Sequence, residues 1–170
     1  MFSWRRESKR RLIIGAIIAI VAITTIVAGA LLIAENPRHS SIDSAEPAKE
    51  AQVVVNDKAM QVAIADTPDK RSLGLSLRDS MPRDRGMLFV FDEEGVYAFW
   101  MKNMEFNLDI IWINSTGTVV QVEKNLKPCL DICPSYESGK PALYVLEVNA
   151  GVSDELGIRE GTTVKIVFNK

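Results

Sequence analysis

Histidine is nearly absent from this sequence: His39 is the only one among 170 residues, and there are two cysteines. Hydrolysis by a Ser-His-Asp or Cys-His set needs an imidazole to accept the proton of the nucleophile. Zinc sites normally take four ligands, mostly histidine and cysteine. Because His39 lies in a polar segment that we interpret as a tether, we expect neither chemistry in the folded part, and we expect no cofactor and no metal.

Positive charge is also scarce outside the first eleven residues. The chain carries 20 Lys and Arg against 22 Asp and Glu, a net charge of -2. Residues 1–11 hold five basic side chains and Glu7, a net of +4, so residues 12–170 must sum to -6. A nucleic-acid-binding domain usually carries a basic patch. We therefore expect no nucleic-acid partner.

One long uncharged apolar run fills residues 12–34. Its 23 residues, at about 1.5 Å of rise each, make a helix of roughly 35 Å, long enough to cross a bilayer. The five basic residues precede it, which predicts a cytoplasmic N-terminus and an extracytoplasmic C-terminus. The alternative is a signal peptide cleaved near Ala30, because Ala28-Gly29-Ala30 resembles a cleavage site. Either interpretation places the rest of the chain outside the cytoplasm.

The sequence predicts four segments. Residues 1–11 are cytoplasmic, and residues 12–34 form a transmembrane signal anchor. Residues 35–51 contain two prolines and three serines and little apolar surface, which is typical of a flexible tether. Residues 52–170 form a β-rich extracytoplasmic domain.

Short apolar runs separated by turn residues predict the fold of that domain. Asn56-Asp57 is expected to join a hairpin, and Thr67-Pro68 to begin a short helix. Ser153 is expected to cap a second helix. Further strands are predicted at 86–91, 96–101, 108–113, 118–123, 143–148 and 164–168, with an acidic turn at 92–95. The fold class is mainly β, a small β-sandwich or partly closed barrel with one or two short helices, preceded by one transmembrane helix.

Several sequence blocks stand in a recurrent order and spacing. They are RSLGL at 71–75, Arg78, GMLFVF at 86–91, FWMKN at 99–103, LDII at 108–111 and YVLEVNAG at 144–151. Together they resemble the domain of unknown function 192 family, over about residues 53–168. The resemblance implies a largely β fold, often secreted or membrane-anchored, and it implies no established activity.

Cys129 and Cys133 stand between two prolines in a compartment where disulfides persist, so we predict a structural disulfide. A redox pair and metal ligation are the alternatives. In the latter, Met87, Met101 and Met104 would join the cysteines in a soft-metal (copper) site. Methionine beside Leu, Phe or Trp in strands more often packs a core.

Two carboxylates interrupt apolar strands, Asp109 in LDI and Glu147 in LEV. If they converge, they could act as a general acid and base on carbohydrate or cell-wall material. If they do not, each faces water or pairs with a basic residue.

The residues around Trp100 combine an aromatic platform, cations and an amide at the end of a strand. Such a set suits a small anionic or sugar-like ligand, or a protein of the cell envelope. The predicted binding face contains Arg71, Arg78, Trp100, Lys102, Asn103 and Asp109. Our leading interpretation is a non-enzymatic binding module, with the Asp109–Glu147 enzyme and the copper-handling protein as alternatives.

Overall fold

Residues 49–169 are described by a computed structural model. The predicted cytoplasmic segment, the transmembrane segment at 12–34 and nearly all of the tether lie outside these residues. No helix within 49–169 is long and apolar enough to cross a membrane. The first strand of the described part begins at Glu50, inside the segment predicted as the tether.

The first two strands form the predicted hairpin. β1 (Glu50–Val55) and β2 (Lys58–Ala65) pair antiparallel. The turn residues Asn56 and Asp57 have φ of 48° and 62°. Two successive left-handed residues give the turn whose twist matches that of the flanking strands, and Asn and Asp tolerate this conformation.

The predicted helix start is confirmed in α1 (Pro68–Leu73). The hydroxyl of Thr67 accepts a hydrogen bond from the Lys70 backbone N–H at 3.3 Å, and Pro68 occupies the first turn. Gly74, with φ of 52°, ends the helix. The segment that contains α1 connects β2 to β3, and those two strands run parallel.

Seven further strands and a second helix complete the described part. They are β3 (Arg85–Gly95), β4 (Ala98–Phe99), β5 (Leu108–Ile113), β6 (Val119–Leu126), β7 (Tyr136–Glu137), β8 (Ala142–Asn149), α2 (Val152–Glu155) and β9 (Lys165–Phe168).

Three local predictions are wrong. Residues 92–95 continue β3, with a register shift against β8, and do not form a turn. The strand expected at 96–101 shrinks to β4, which pairs with β7 in a separate two-stranded sheet. Ser153 does not cap α2; Gly151 holds that position, because the Ser153 hydroxyl bonds to Asp109 instead.

The predicted mainly β class is confirmed, and the main sheet is not closed. Seven strands form one sheet in the order β6-β5-β8-β3-β2-β1-β9. β6 and β9 are its edges. The start of β6 and the residues just before it are linked to the segment that precedes β9. The backbone N–H of Gly161 donates to the carbonyl of Val119 at 2.9 Å, and that of Val164 donates to the carbonyl of Gly117 at 2.8 Å.

Each face of this sheet buries its own apolar cluster. Successive residues of a strand point to opposite faces, so the central strands β3, β5 and β8 contribute alternately to both. The first core includes Val62, Leu88, Ile111, Leu146, Val148 and Val152 of α2. The second core includes Met87, Phe89, Ile110, Trp112, Val145 and Met101. The segments that cover the second core also form the walls of a cleft.

Candidate ligand-binding cleft

A cleft of about 360 Å³ opens over the second core. Its walls come from α1 and the residues after it, from β3, and from residues 97–104. Five of its lining residues are aromatic: Phe89, Phe91, Tyr97, Phe99 and Trp100. Phe89 is buried at its base, whereas Trp100 is 63% exposed at its rim. The cleft therefore has an apolar floor and an open, partly aromatic mouth.

Arg71 is fixed in one wall. One terminal nitrogen of its guanidinium, Nη1, donates to the carbonyl of Asp66 at 3.1 Å and to that of Val90 at 2.8 Å. The guanidinium carbon lies 5.1 Å from the centre of the Phe91 ring. Arg71 is half-buried, and these three contacts fix the position of its positive charge. Its remaining N–H groups can donate hydrogen bonds to a ligand.

Ring contacts hold the aromatic side of the cleft. Phe91 stacks on Tyr97 with centroids 3.5 Å apart, and Phe89 meets Phe99 edge to face at 4.9 Å. The Tyr97 hydroxyl donates to the carbonyl of Glu93 at 2.7 Å. Burial and the Glu93 charge raise the pKa of this hydroxyl, so it stays neutral. Aromatic pairs of this kind are worth about 0.5–1.5 kcal/mol beyond their buried area, which favours a preformed wall.

The predicted Cys129–Cys133 disulfide is present, and it lies beside the part of the wall that contains Lys102 and Asn103. The Cys129 backbone N–H donates to the Met101 carbonyl at 3.0 Å, and its carbonyl accepts from the Asn103 N–H at 3.1 Å. These bonds hold the exposed Lys102 between them. Lys102 forms no ion pair with any of the residues 49–169.

Glu147 lies at the buried end of the cleft. On β8 it stands opposite Met87 of β3 and Ile110 of β5, both apolar. It is 4% exposed, and its Oε2 has no hydrogen-bond partner in the described part of the chain. Burial raises the pKa of this carboxyl from 4.5 to about 8, so it is mostly protonated at neutral pH.

Asp109 lies on the other face of the sheet. Its Oδ1 accepts from the Asn125 backbone N–H at 2.9 Å. Its Oδ2 accepts from the N–H of Gly151 at 2.9 Å, and from the N–H and hydroxyl of Ser153 at 3.1 and 2.6 Å. Asp109 thus ties β6 and α2 to β5, and its oxygens are already occupied by protein donors.

The structure corrects two of the site predictions. Asp109 and Glu147 do not converge, so the proposed acid–base pair fails. The predicted binding face is also divided: Arg71, Trp100, Lys102 and Asn103 line the cleft, whereas Arg78 and Asp109 do not. Arg78 is exposed elsewhere on the segment after α1.

Sequence reasoning missed some of the lining. The sequence predicts Phe91 and Tyr97 only as strand residues, and it does not assign Ser72 or Ser76 to a binding face, yet all four line the cleft. The alternation of Met87, Phe89 and Phe91 along β3 was the available signal, since all three share the Glu147 side of the sheet.

The soft-metal alternative loses its thiolates, because both cysteines are in the disulfide. Met87 and Met101 are packed in the second core, and Met104 is buried where it lines the cleft. Residues 49–169 hold no group of three His, Cys, Asp or Glu side chains placed to bind a metal ion.

Two solved structures are similar to this chain. One, from Sinorhizobium meliloti 1021, is named a "putative transcription regulator"; it is 32% identical with a TM-score of 0.62, covering 69% of this chain and 92% of that one. The other is a protein of unknown function from Novosphingobium aromaticivorans DSM 12444, 27% identical with a TM-score of 0.61, covering 68% and 83%.

No curated protein is significantly similar to this chain. The sequence profile of DUF192, described as "Uncharacterized ACR", matches residues 51–166. This match includes residues from all seven strands of the main sheet and every wall of the cleft, and it agrees with the resemblance in the sequence blocks. The chain belongs to the DUF192 family of uncharacterised proteins.

Proposed function

We propose that this protein is a membrane-anchored, extracytoplasmic binding module whose cleft takes a small organic anion with an apolar or aromatic part. The observation that carries the proposal is the composition of the cleft. Two cations, Arg71 and Lys102, line a concave site with aromatic walls, and Glu147 is the only acidic residue that the described part of the chain contributes to the lining.

The charge of the cleft favours an anion. Arg71 and Lys102 are positive at neutral pH, whereas the buried carboxyl of Glu147 is mostly neutral. Tyr97 is neutral as well. The cleft therefore carries a net positive charge on a domain whose overall charge is negative, and a carboxylate or phosphate gains charge-assisted hydrogen bonds there.

The shape and apolar surface of the cleft favour a ligand with an aromatic or aliphatic part. Trp100 offers an exposed ring at the rim, and Leu73 beside the mouth is 58% exposed. When a ligand buries such apolar surface, each Å² contributes about 25 cal/mol to the free energy of binding. The walls are held by hydrogen bonds and ring contacts, so little ordering is needed on binding.

Binding suits the cleft better than catalysis. The hypothesised hydrolysis of a glycosidic bond by a general acid and base needs two carboxyl groups that flank that bond. Asp109, the second carboxylate of the enzyme hypothesis, is committed to Asn125, Gly151 and Ser153 on the far side of the sheet.

The amino-acid sequence supports the membrane anchor. Residues 12–34 are uncharged and follow five basic residues. The Cys129–Cys133 disulfide supports an oxidising compartment for the folded part. A reporter phosphatase that is active only outside the cytoplasm, fused after Lys170, should be active; an inactive fusion with normal expression would contradict this orientation.

The ligand class is tested with four probes: benzoate, benzylamine, benzyl alcohol and N-acetylglucosamine. Binding to the full chain in detergent micelles is measured by saturation-transfer NMR, with empty micelles as the blank. We expect benzoate to bind in the millimolar range, which is typical of a ligand of about nine heavy atoms. Benzylamine and the sugar should bind more weakly.

The matched variants are Lys102→Ala in the cleft and Lys165→Ala on the exposed edge strand β9. Both remove one lysine from an exposed position. Only Lys102→Ala should weaken benzoate binding, by about fivefold to tenfold. Equal binding of benzoate and benzylamine, or equal effects of the two substitutions, would overturn the proposal.

A further inference from the structure

Within residues 49–169, Glu147 carries the one buried side-chain oxygen that has no hydrogen-bond partner. A carboxyl buried without a partner costs free energy, and proteins normally satisfy such a group. Its neighbours across the sheet, Met87 and Ile110, offer no hydrogen bond, and Oε2 has no partner within residues 49–169. The side chain nevertheless lines the cleft. The missing partner is therefore expected from the side of the cleft.

We infer, building on the proposed function, that Glu147 is the specificity-determining residue of the cleft: as a neutral carboxylic acid it donates a hydrogen bond to an anionic oxygen of the ligand. The ligand class is thus an organic carboxylate or phosphate whose anionic end reaches the buried end of the cleft. Binding of that anion is coupled to a proton held on Glu147.

The groups around Glu147 support a donor role. The charged or titratable residues that line the cleft with it are Arg71 of the α1 wall, Tyr97 before β4 and Lys102 after it. The residues facing it directly from β3 and β5 are apolar. Among residues 49–169, no other acidic side chain lines the cleft to compete for the proton of Glu147, and no basic side chain forms an ion pair with its carboxylate.

A hydrogen bond from the protonated Glu147 carboxyl to an anionic oxygen of the ligand is chemically favourable. A protonated carboxyl is a single O–H donor, and an O–H to O⁻ hydrogen bond is short and about twice as strong as a neutral one. A bound anion raises the pKa of a neighbouring acid, because two negative charges at contact repel. The ligand and the proton therefore bind cooperatively, and Arg71 and Lys102 compensate the remaining negative charge.

The competing role for a buried carboxyl is counter-ion to an organic amine. Such an amine would have to enter past Lys102 and Arg71, whose guanidinium already lies against the Phe91 ring. The two roles predict opposite pH dependence. A donor loses its affinity for the anion when Glu147 ionises, whereas a counter-ion gains affinity for the amine.

The experiment measures the benzoate dissociation constant of the full chain in micelles between pH 6 and 9.5, where benzoate remains ionised. We expect a constant value up to about pH 7.5 and a rise approaching tenfold per pH unit above about pH 8. Glu147→Gln keeps an N–H donor but cannot titrate. At pH 6.5 the benzoate dissociation constant of Glu147→Gln should lie within about threefold of the parent value. Between pH 6 and 9.5 that constant should not change.

The control is Glu160→Gln, which removes an exposed carboxylate that forms a surface ion pair with Lys140. It should keep the pH profile of the parent. A second readout is the carboxyl ¹³C signal of Glu147, assigned by its loss in Glu147→Gln. Its titration midpoint should move to higher pH when benzoate is added.

The outcomes separate the two proposals. If benzoate does not bind at pH 6.5, the proposed function fails. If benzoate binds but parent and Glu147→Gln share one flat profile, only the role of Glu147 fails. Binding of benzylamine that strengthens as the pH rises through 8 would make Glu147 a counter-ion and overturn this inference.

Discussion

Asp109 and Glu147 lie on opposite faces of the same sheet, although Ile110, the residue after Asp109, pairs directly with Glu147. Each is buried in an apolar strand, yet their surroundings differ completely. Asp109 accepts four hydrogen bonds from the protein, and the Oε2 of Glu147 accepts none from the described residues. The first carboxylate therefore supports the fold, and the second faces the cleft.

Glu147 should make the stability of the protein depend on pH. Its folded pKa of about 8 exceeds the ordinary 4.5, so between these values the folded state holds a proton that the unfolded state has lost. Stability is then highest below pH 4.5 from this group and falls as the pH rises toward 8, by up to about 1.4 kcal/mol per pH unit.

Urea unfolding of Glu147→Gln measures this contribution. The variant should be more stable than the parent at pH 8, and the difference should shrink toward pH 5. Glu160→Gln, on the surface, should leave the pH dependence unchanged. A parent and a Glu147→Gln variant with parallel stability profiles would contradict the buried, protonated carboxyl.

Asp109→Asn should destabilise the fold by about 2–4 kcal/mol, because its amide nitrogen would face donors where the carboxylate now accepts. Ser153→Ala removes only one of these bonds and should cost about 1 kcal/mol. Asp84→Asn is the control, since Asp84 is exposed. Chemical denaturation gives all three values. If Asp109→Asn is as stable as the parent but no longer binds benzoate, Asp109 takes part in ligand binding and its structural role is contradicted.

Gly86→Ala should distort the strand that carries Glu147. A Cβ at Gly86 would lie 2.8 Å from the backbone oxygen of Glu147, so β3 and β8 would have to move apart. We expect a loss of about 1–3 kcal/mol. Gly139→Ala is the matched control, because nothing lies within 4 Å of its Cβ position. Thermal unfolding of both variants measures the loss of stability. Equal melting temperatures of Gly86→Ala and Gly139→Ala would contradict the close packing of β3 against β8.

The disulfide should matter more for the cleft than for the fold. In Cys129→Ser/Cys133→Ser the loss of a very short closed loop costs about 2 kcal/mol. Without the disulfide, the Cys129 backbone is less restrained, and its hydrogen bonds to Met101 and Asn103 are weakened. The wall that carries Lys102 therefore becomes more mobile. Benzoate affinity should fall at least fivefold at a temperature where the variant remains folded. Unchanged affinity would show that the disulfide has no part in shaping the cleft.

Local signals in the sequence predicted the fold where one physical rule dominates. Asn56-Asp57 between alternating apolar runs identified the hairpin, and Thr67-Pro68 identified the start of α1. The β5 prediction at 108–113 matches its observed bounds. The acidic run at 92–95 misled, because β3 continues through it and pairs again with β8 at Gly95, opposite Ala142, after a shift in register.

The site was predicted only in part, since partners that are distant in sequence decide the role of a buried carboxylate. Trp100, Lys102 and Asn103 could be grouped because they are adjacent in the chain. The assignment of Asp109 depended on Gly151 and Ser153, more than forty residues away. No periodicity reveals those contacts, so two carboxylates in similar apolar strands could not be told apart.

The central claim is that the cleft over the second core binds organic anions, and backbone amide NMR of the full chain in micelles tests it most directly. Benzoate should shift the amide signals of Gly74 and Asn103, which line the cleft, and leave Gly161, which lines a different surface pocket, unmoved. Shifts at Gly161 without shifts at Gly74 and Asn103, or no shifts at ligand concentrations well into the millimolar range, would contradict the account.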